Sequence, residues 1–263
     1  MQLSQLTGVE LGSRTVAYDD RTTILYALCA GASGAELDLV WEDRLRPLPS
    51  LATSLGLWAV ESTGDLGAYD RRTSLHVGQR LRMTGPMPST GSITMTGRVQ
   101  AVWDKGKAAI VEIAVTSDHF ELGYTIFLPG MGGFGGESGP ASATAEPFEP
   151  TATVNVPTDE RLALFYRLTG DRHPVHVDPA TASASGFDRP ILHGLCTLAI
   201  AARTVGRLVG ADPASLTSLD ARFAAPVMPG DDLTVRASGD ARACRFDVLV
   251  GERVVLKDGA ASF

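Results

Sequence analysis

The chain has 263 residues, of which 44% are hydrophobic and 20% are charged, a balance typical of a folded globular protein. A net charge of -7 and a pI near 5.2 exclude a large nonspecific attraction to nucleic acid, so we expect no nucleic-acid partner. No apolar run approaches the roughly 18 to 20 residues of a membrane span, so we expect no membrane partner.

The two ends of the chain and its cysteines bear on its location. The N-terminal segment lacks a basic stretch followed by an apolar one, and the C-terminal Ala-Ser-Phe differs from the peroxisomal address Ser-Lys-Leu. Cys29, Cys196 and Cys244 lie far apart among small apolar residues, which indicates core thiols in a reducing compartment. These features predict a cytoplasmic location.

The first half begins with a short helix and continues in strands. Asp19 and Asp20 precede an apolar run, where acidic groups favour a helix start, and Gly31 ends it. Alternation of apolar and polar residues then predicts strands. The segments with this pattern are 92–99, 108–115 and 124–128. We therefore predict an antiparallel sheet with a short helix against it.

A stretch rich in Gly, Pro, Ser and Ala separates the two halves. Its composition opposes helix and strand alike, which predicts an N-terminal module over 1–130, a linker over 131–150 and a C-terminal module over 151–263. The glycines of 132–136 follow a strand without opening a helix. We therefore interpret them as linker rather than as a nucleotide-binding loop, and predict no cofactor.

The second half repeats this plan. A helix is predicted from Thr158, with Thr158 or Asp159 as its cap, to about Leu168, and Gly170 ends it. A further helix opens at Gly194, is apolar around most of its circumference and must be buried. Strand-like segments follow at 218–223, 232–237, 244–250 and 253–257. Each half is thus predicted to be an α+β module, and two such sheets can meet along their edges.

Three of the chain's 5 histidines, His173, His176 and His193, are close together in sequence. Because Pro174 forces its predecessor out of helical dihedrals, Asp171 and His176 cannot share a helix and must lie on a loop. Such a loop can turn both side chains towards one cavity. There an imidazole can take a proton from water, while a carboxylate fixes its tautomer or holds the same water.

Gly194 could contribute a backbone N–H group at a helix start, which stabilises negative charge developing on a carbonyl oxygen. A structural interpretation stays open. Asp171 would then cap the next segment, the histidines would be half-buried hydrogen-bonded residues, and Gly194 would be a turn glycine. The histidine spacing lacks a helical i,i+4 pair, so we predict no metal site.

Two segments carry a resemblance to a known family. The segment 166–178, YRLTGDRHPVHVD, and the segment 187–196, FDRPILHGLC, resemble the signature of the MaoC-like (R)-specific enoyl-CoA hydratases, also called hydratase 2. Similar features extend along the chain, among them Leu75-His76, the glycines of 132–136 and the segment 222–231. The resemblance implies a double hot-dog fold whose second module is catalytic and whose first module accommodates the acyl chain.

The resemblance also implies roles. Asp171 and His176 would be the catalytic pair, and the N–H of Gly194 would bind the thioester oxygen. The product would be a (3R)-hydroxyacyl-CoA made by a homodimer that needs no cofactor. His173 stands where the family usually has Asn, so we assign it, with His193, to substrate binding.

A CoA ester would need local cations because the chain is acidic overall. Lys105 beside Gly106 is one candidate for this contact, although a simple hairpin turn explains both residues.

Two alternatives to the hydratase remain at this stage. The chain could be a non-catalytic acyl-CoA-binding subunit, which the unusual His173 makes conceivable. It could also be a dehydratase acting on a carrier-protein-bound acyl thioester. The hydratase would serve the β-oxidation of fatty acids or of related acyl-CoA esters, among them steroid side chains.

Overall fold

The computed structural model describes residues 1–141 and 148–263. The predicted linker over 131–150 therefore lies partly outside the described residues. The strands are β1 (Glu10–Tyr18), β2 (Leu75–Met83), β3 (Gly91–Asp104), β4 (Ala108–Thr116), β5 (Phe120–Pro129), β6 (Ala152–Pro157), β7 (Ser218–Phe223), β8 (Asp232–Gly239), β9 (Cys244–Val250) and β10 (Arg253–Ser262).

Short helices accompany the strands. The α-helices are α1 (Asp20–Cys29), α2 (Leu37–Val40), α3 (Leu51–Leu55), α4 (Trp58–Asp65), α5 (Leu162–Tyr166), α6 (Pro179–Ala184) and α7 (Gly194–Leu208). Single 3-10 turns occur at Leu3–Gln5, Glu42–Arg44, Arg71–Thr73, Arg167–Thr169, Pro174–His176 and Pro213–Ser215.

In the described residues, all strands join one 10-stranded antiparallel sheet in the order β1-β3-β4-β5-β2-β7-β10-β9-β8-β6. The order reads the same from both ends when each first-half strand is exchanged for its second-half equivalent, so the two halves are related by a pseudo-twofold axis. The centre is the pair β2·β7, where Arg80 lies opposite Asp220. The prediction that two α+β modules meet along their sheet edges is confirmed.

The helix predictions are largely confirmed. Asp19 caps α1, its carboxylate accepting the Thr22 N–H at 2.9 Å. Helix α7 is buried along most of its length, as its apolar circumference requires. The start of α5 was predicted wrongly. It begins at Leu162, with Arg161 as a cap residue that makes no side-chain capping bond, and the Asp159 carboxylate accepts both the backbone N–H and the guanidinium of Arg161 just before the helix.

Sequence patterns missed several elements. Strand β1 lies at the edge of the sheet and exposes most of its side chains, so its apolar residues show no clean alternation. The helices α2, α3 and α4 are only 4, 5 and 8 residues long, too short for a helical period to show.

An ionic cluster around the buried Glu36 side chain connects the first module to α7. The Glu36 side chain is 6% exposed and accepts hydrogen bonds from Arg203 Nε at 3.1 Å and from Arg207 Nη2 at 2.6 Å. Both arginines belong to α7, so this contact helps to fix the helix whose first residue is Gly194. Removing one partner of such a pair would leave the other charge buried and unpaired.

The glycine-rich segment is held in place at its start. The Asp104 carboxylate accepts the N–H groups of Gly106 at 2.8 Å, Gly133 at 2.8 Å and Gly135 at 2.9 Å. These bonds lower the pKa of Asp104, because backbone N–H groups favour its charged form. This part of the predicted linker is therefore an ordered loop against the β3–β4 turn.

Two further predictions concern the cysteines and the membrane. Cys29, Cys196 and Cys244 are all buried free thiols, as predicted. Within the part of the chain that the structure describes, no helix is both long and apolar enough to cross a membrane.

Candidate active site

A cavity of about 650 Å³ lies where the two modules meet. Its wall contains four of the predicted site residues, namely Asp171, His173, His176 and Gly194. The first module supplies other parts of the wall, including His76 at the start of β2. The structure thus brings the candidate acid/base residues and the start of α7 to one space.

Asp171 and His176 face each other across a gap suited to one water molecule. Asp171 Oδ2 lies 3.9 Å from His176 Nε2, with side chains 14% and 10% exposed. That separation is too long for a direct hydrogen bond but lets a single water bond to both atoms. The structure thus brings the two side chains together, and their roles as an acid/base pair stay a prediction.

Local geometry explains why the loop holds this shape. Gly170 adopts φ 145°, a conformation that favours glycine, and ends the turn after α5. The His173 N–H donates to Asp171 Oδ1 at 3.1 Å, which leaves Oδ2 for His176. Pro174 then opens the 3-10 turn that ends at His176. The two oxygens of this carboxylate therefore have different neighbours, the His173 N–H at Oδ1 and the His176 ring at Oδ2.

The hydrogen bonding of His176 defines its tautomer. His176 Nδ1 lies 2.9 Å from the carbonyl oxygen of Ile191, and because that oxygen can only accept, Nδ1 carries the hydrogen. The neutral ring then has its lone pair on Nε2, the atom that faces Asp171. Burial lowers the pKa of His176, opposed by the nearby Asp171 carboxylate. The side chain is therefore a neutral base near pH 7.

His173 also lines the cavity, with a different tautomer. Its Nδ1 accepts the Val175 N–H at 3.3 Å, so the neutral ring carries its hydrogen on Nε2. The ring centroid lies 6.3 Å from that of His176, and burial lowers the pKa of His173. His173 can thus present one N–H donor to the cavity.

His193 does not contact the cavity, so the structure does not support its predicted role in substrate binding. The side chain is 0% exposed and is absent from the cavity wall, because it lies behind His176 with the two rings stacked. Burial, followed by the nearby His176, lowers the pKa of His193 to about 3.

Lys105 and Gly106 lie away from the cavity wall, and the structure does not support them as substrate contacts. The Lys105 ammonium instead binds the carbonyl oxygens of Ser138 and, at 3.1 Å, Pro140. The cations that line the cavity are Arg71 and Arg72, which sequence patterns did not single out.

His76 is another residue that sequence reasoning left without a role. It is half-buried in the wall, its Nε2 bonds the Gly78 carbonyl oxygen at 2.9 Å, and its ring packs 4.9 Å from that of Phe223. Burial lowers the pKa of His76 to about 4. The only sequence signal for it was its place in the family resemblance.

The ligand atoms of Asp171, His176 and His193 lie within 4.8 Å of one another, as those of a metal site do. The geometry opposes that use. The two imidazoles are stacked 3.7 Å apart at 23°, so their in-plane lone pairs run side by side rather than converging on one ion. His176 Nδ1 and His193 Nε2 are also bonded to carbonyl oxygens. Absence of a metal stays our prediction.

Solved structures with the same fold include a MaoC-like dehydratase and a protein with a double hotdog fold. A MaoC-like dehydratase from Phytophthora capsici superposes with TM-score 0.86 at 24% identity, covering 99% of this chain and 96% of that one. A Mycobacterium tuberculosis protein reported to have a double hotdog fold superposes with TM-score 0.62 at 15% identity, covering 99% and 97%. The predicted double hot-dog fold is confirmed.

Sequence comparison identifies the family. The family model of the MFE-2 hydratase 2 N-terminal domain matches residues 16–134, and that of the MaoC-like domain matches residues 142–257. The chain is 36% identical to 3-hydroxyacyl-thioester dehydratase Y of Mycobacterium tuberculosis, covering 94% of this chain and 93% of the relative. It is 34% identical to an enoyl-CoA hydratase of the same organism, covering 96% and 94%. The chain belongs to the two-module, MaoC-like hydratase 2 family.

Proposed function

We propose that this protein is a hydro-lyase that adds water across the 2,3 double bond of a trans-2-enoyl-CoA to give a (3R)-hydroxyacyl-CoA. The observation that carries the proposal is the 3.9 Å gap between Asp171 Oδ2 and His176 Nε2 in the wall that also contains Gly194. Relatives named as an enoyl-CoA hydratase and as a 3-hydroxyacyl-thioester dehydratase support it, since the two names describe opposite directions of one reaction.

The reaction follows from the hydrogen-bonding capacity of each group. A water bound between the pair gives one proton to the lone pair of His176 Nε2 as its oxygen bonds carbon 3, while Asp171 accepts a hydrogen bond from its other proton. The π electrons move to the thioester oxygen, where the N–H of Gly194 stabilises the enolate. His176 returns the proton to carbon 2, so the enzyme ends unchanged.

The pseudo-twofold axis offers an internal comparison. A second cavity, of about 510 Å³, is built from segments 83–87 and 214–217, which occupy positions equivalent to segments 223–227 and 74–77 of the first cavity. In the described residues, its wall contains no His, Asp or Glu. We propose that the chemistry resides in the first cavity alone, with the second module supplying the acid/base pair.

The pH dependence of kcat/KM tests the role of His176. The reaction needs neutral His176, and burial lowers its pKa below the ordinary value of 6.5. Activity should therefore persist below pH 6.5 and fall only in more acidic buffer, as His176 becomes protonated. A kcat/KM profile between pH 4 and 8 measures this. An acid limb at or above pH 6.5 would contradict the assignment.

Substitution of Gly194 by alanine tests the oxyanion contact. An added Cβ would lie 3.0 Å from a ring carbon of Phe223, so the start of α7 or the ring must move. Loss of an oxyanion donor costs about 10²–10³-fold in kcat, and we expect displacement of this one to cost at least about tenfold. Gly34→Ala is the matched control, because its Cβ would meet nothing within 4 Å. Unchanged kcat in Gly194→Ala would remove the glycine from the mechanism.

A spectrophotometric hydration assay on enoyl-CoAs of increasing acyl size tests the function itself. Turnover with (3R) product supports the proposal. Binding of every ester without turnover would favour the non-catalytic subunit, and turnover of carrier-protein-bound thioesters alone would favour the second alternative. The homodimer and the cytoplasmic location stay predictions, the first open to light scattering on the purified protein.

A further inference from the structure

We propose that His193 is a positioning residue that fixes both members of the catalytic pair from behind the cavity. The proposal rests on the proposed function, because it assigns the residue a task in that same site. Three features of His193 support the proposal. Its side chain forms a hydrogen bond to Asp171, its ring stacks on that of His176, and its backbone is fixed at the start of α7.

The first contact holds the beginning of the catalytic loop. His193 Nε2 lies 3.1 Å from the main-chain carbonyl oxygen of Asp171. Because a carbonyl oxygen only accepts, Nε2 carries the hydrogen and donates it. This bond connects the residue that bears the carboxylate to the residue that precedes α7, 22 positions later in the chain.

The second contact sets the plane of the catalytic imidazole. The rings of His193 and His176 stack with centroids 3.7 Å apart and planes at 23°. The Ile191 carbonyl oxygen fixes the in-plane orientation of His176 through Nδ1, and the stack restricts its tilt. Together they direct Nε2 towards Asp171, and the stacked ring keeps water from one face of His176.

The third feature is the rigidity of His193 itself. Its carbonyl oxygen accepts the N–H groups of Cys196 and Thr197, each at 3.1 Å, so its backbone belongs to the first turn of α7. The Tyr166 ring packs 4.9 Å from its ring. The N-terminal end of the long buried helix α7 therefore fixes the position of the loop that carries Asp171 and His176.

His193 remains uncharged while it does this. Its Nδ1 is buried without a hydrogen-bond partner, so protonation would place an unsolvated charge there. The other groups that act on it are His176 and Arg167, which oppose its protonation, and Asp171, which favours it. An imidazole combines a flat ring with an N–H donor, and phenylalanine or glutamine supplies only one of these.

Two variants separate the two contacts. His193→Phe keeps a ring against His176 but loses the donor to Asp171, and His193→Gln keeps a donor but loses the ring. We expect kcat to fall about 10- to 100-fold in each, with KM changed little, since misplacement of reacting groups has this cost. The acid limb of kcat/KM should stay in place in His193→Phe. It should rise towards pH 6.5 in His193→Gln, because water then reaches the face of His176.

Tyr26→Phe is the matched control, a change at a buried ring of the same core that has no place in the mechanism. Its kcat should stay near that of the wild type. A residue that only stabilised the fold would lower the unfolding temperature without moving the acid limb. If folded His193→Phe and His193→Gln both turn over within about twofold of wild type, the proposal is overturned.

A measurement on the wild-type protein covers the case in which neither variant folds. Nitrogen-15 NMR should show hydrogen on His193 Nε2, none on Nδ1, and no titration between pH 5 and 8. Hydrogen on Nδ1, or titration near the ordinary pKa of 6.5, would overturn the proposal. Failure of the hydration assay with this tautomer intact would instead overturn the proposed function, while the fixing of Asp171 and His176 by His193 would stand as a property of the fold.

Discussion

Replacing Asp171 with asparagine is expected to lower kcat for enoyl-CoA hydration by about 10²–10⁴-fold, the range for loss of general acid/base catalysis, because His176 takes a proton only from a water that the Asp171 carboxylate orients. Asparagine keeps the shape of the side chain, and its carbonyl oxygen can still accept the His173 N–H that Oδ1 accepts now. It lacks the negative charge that orients the water and balances the imidazolium formed on His176. The fold should survive, with an unchanged unfolding temperature.

Asp178→Asn is the control for that experiment. Asp178 lies on the same loop, outside the cavity wall, and its carboxylate caps α6 by accepting the N–H groups of Ala180 and Thr181. Asparagine caps helices equally well, so kcat should be unchanged. Near-normal turnover by Asp171→Asn would remove the carboxylate from the mechanism.

Replacing His176 with glutamine is the second change for which we expect an effect of about 10²–10⁴-fold on kcat. Glutamine can donate a hydrogen bond to the Ile191 carbonyl oxygen as Nδ1 does now, but it offers no lone pair that takes a proton near pH 7. The acid limb of the pH profile should vanish along with most of the activity.

His119→Gln provides the matched control. The His119 ring also bonds a backbone carbonyl oxygen, that of Pro86 at 2.7 Å, and it lies outside the wall of the cavity that contains Asp171 and His176. The double variant Asp171→Asn with His176→Gln adds a stricter test. Because the two groups act on one water, the double variant should be about as slow as the slower single variant. Multiplied losses would mean that the two side chains act in separate steps.

The sequence predicted the loop that carries Asp171 and His176 because the constraints on that loop are local. Pro174 excludes a helix through Asp171 and His176, and the apolar circumference of the segment from Gly194 requires burial. Both inferences depend only on residues that are close together in the sequence. The meeting of the two sheets also followed, since strands with unpaired edges tend to pair.

The remaining parts of the site depend on contacts between distant segments. His76 reaches the cavity only because β2 pairs with β7 of the other module. His193 belongs to the same histidine cluster as His176, and no spacing rule shows that one ring lies behind the other. Lys105 was favoured for its charge, yet Asp104 and the glycine-rich loop engage its turn instead. The positions of these three side chains depend on which surfaces become buried when distant segments of the chain pack together.

The most direct test is a crystal structure of the protein with an enoyl-CoA analogue that cannot be hydrated. The account predicts the thioester oxygen within about 3 Å of the Gly194 nitrogen, and carbon 3 next to a water that bonds both Asp171 and His176. An analogue bound with its carbonyl turned away from α7, or with carbon 3 remote from that pair, would contradict it.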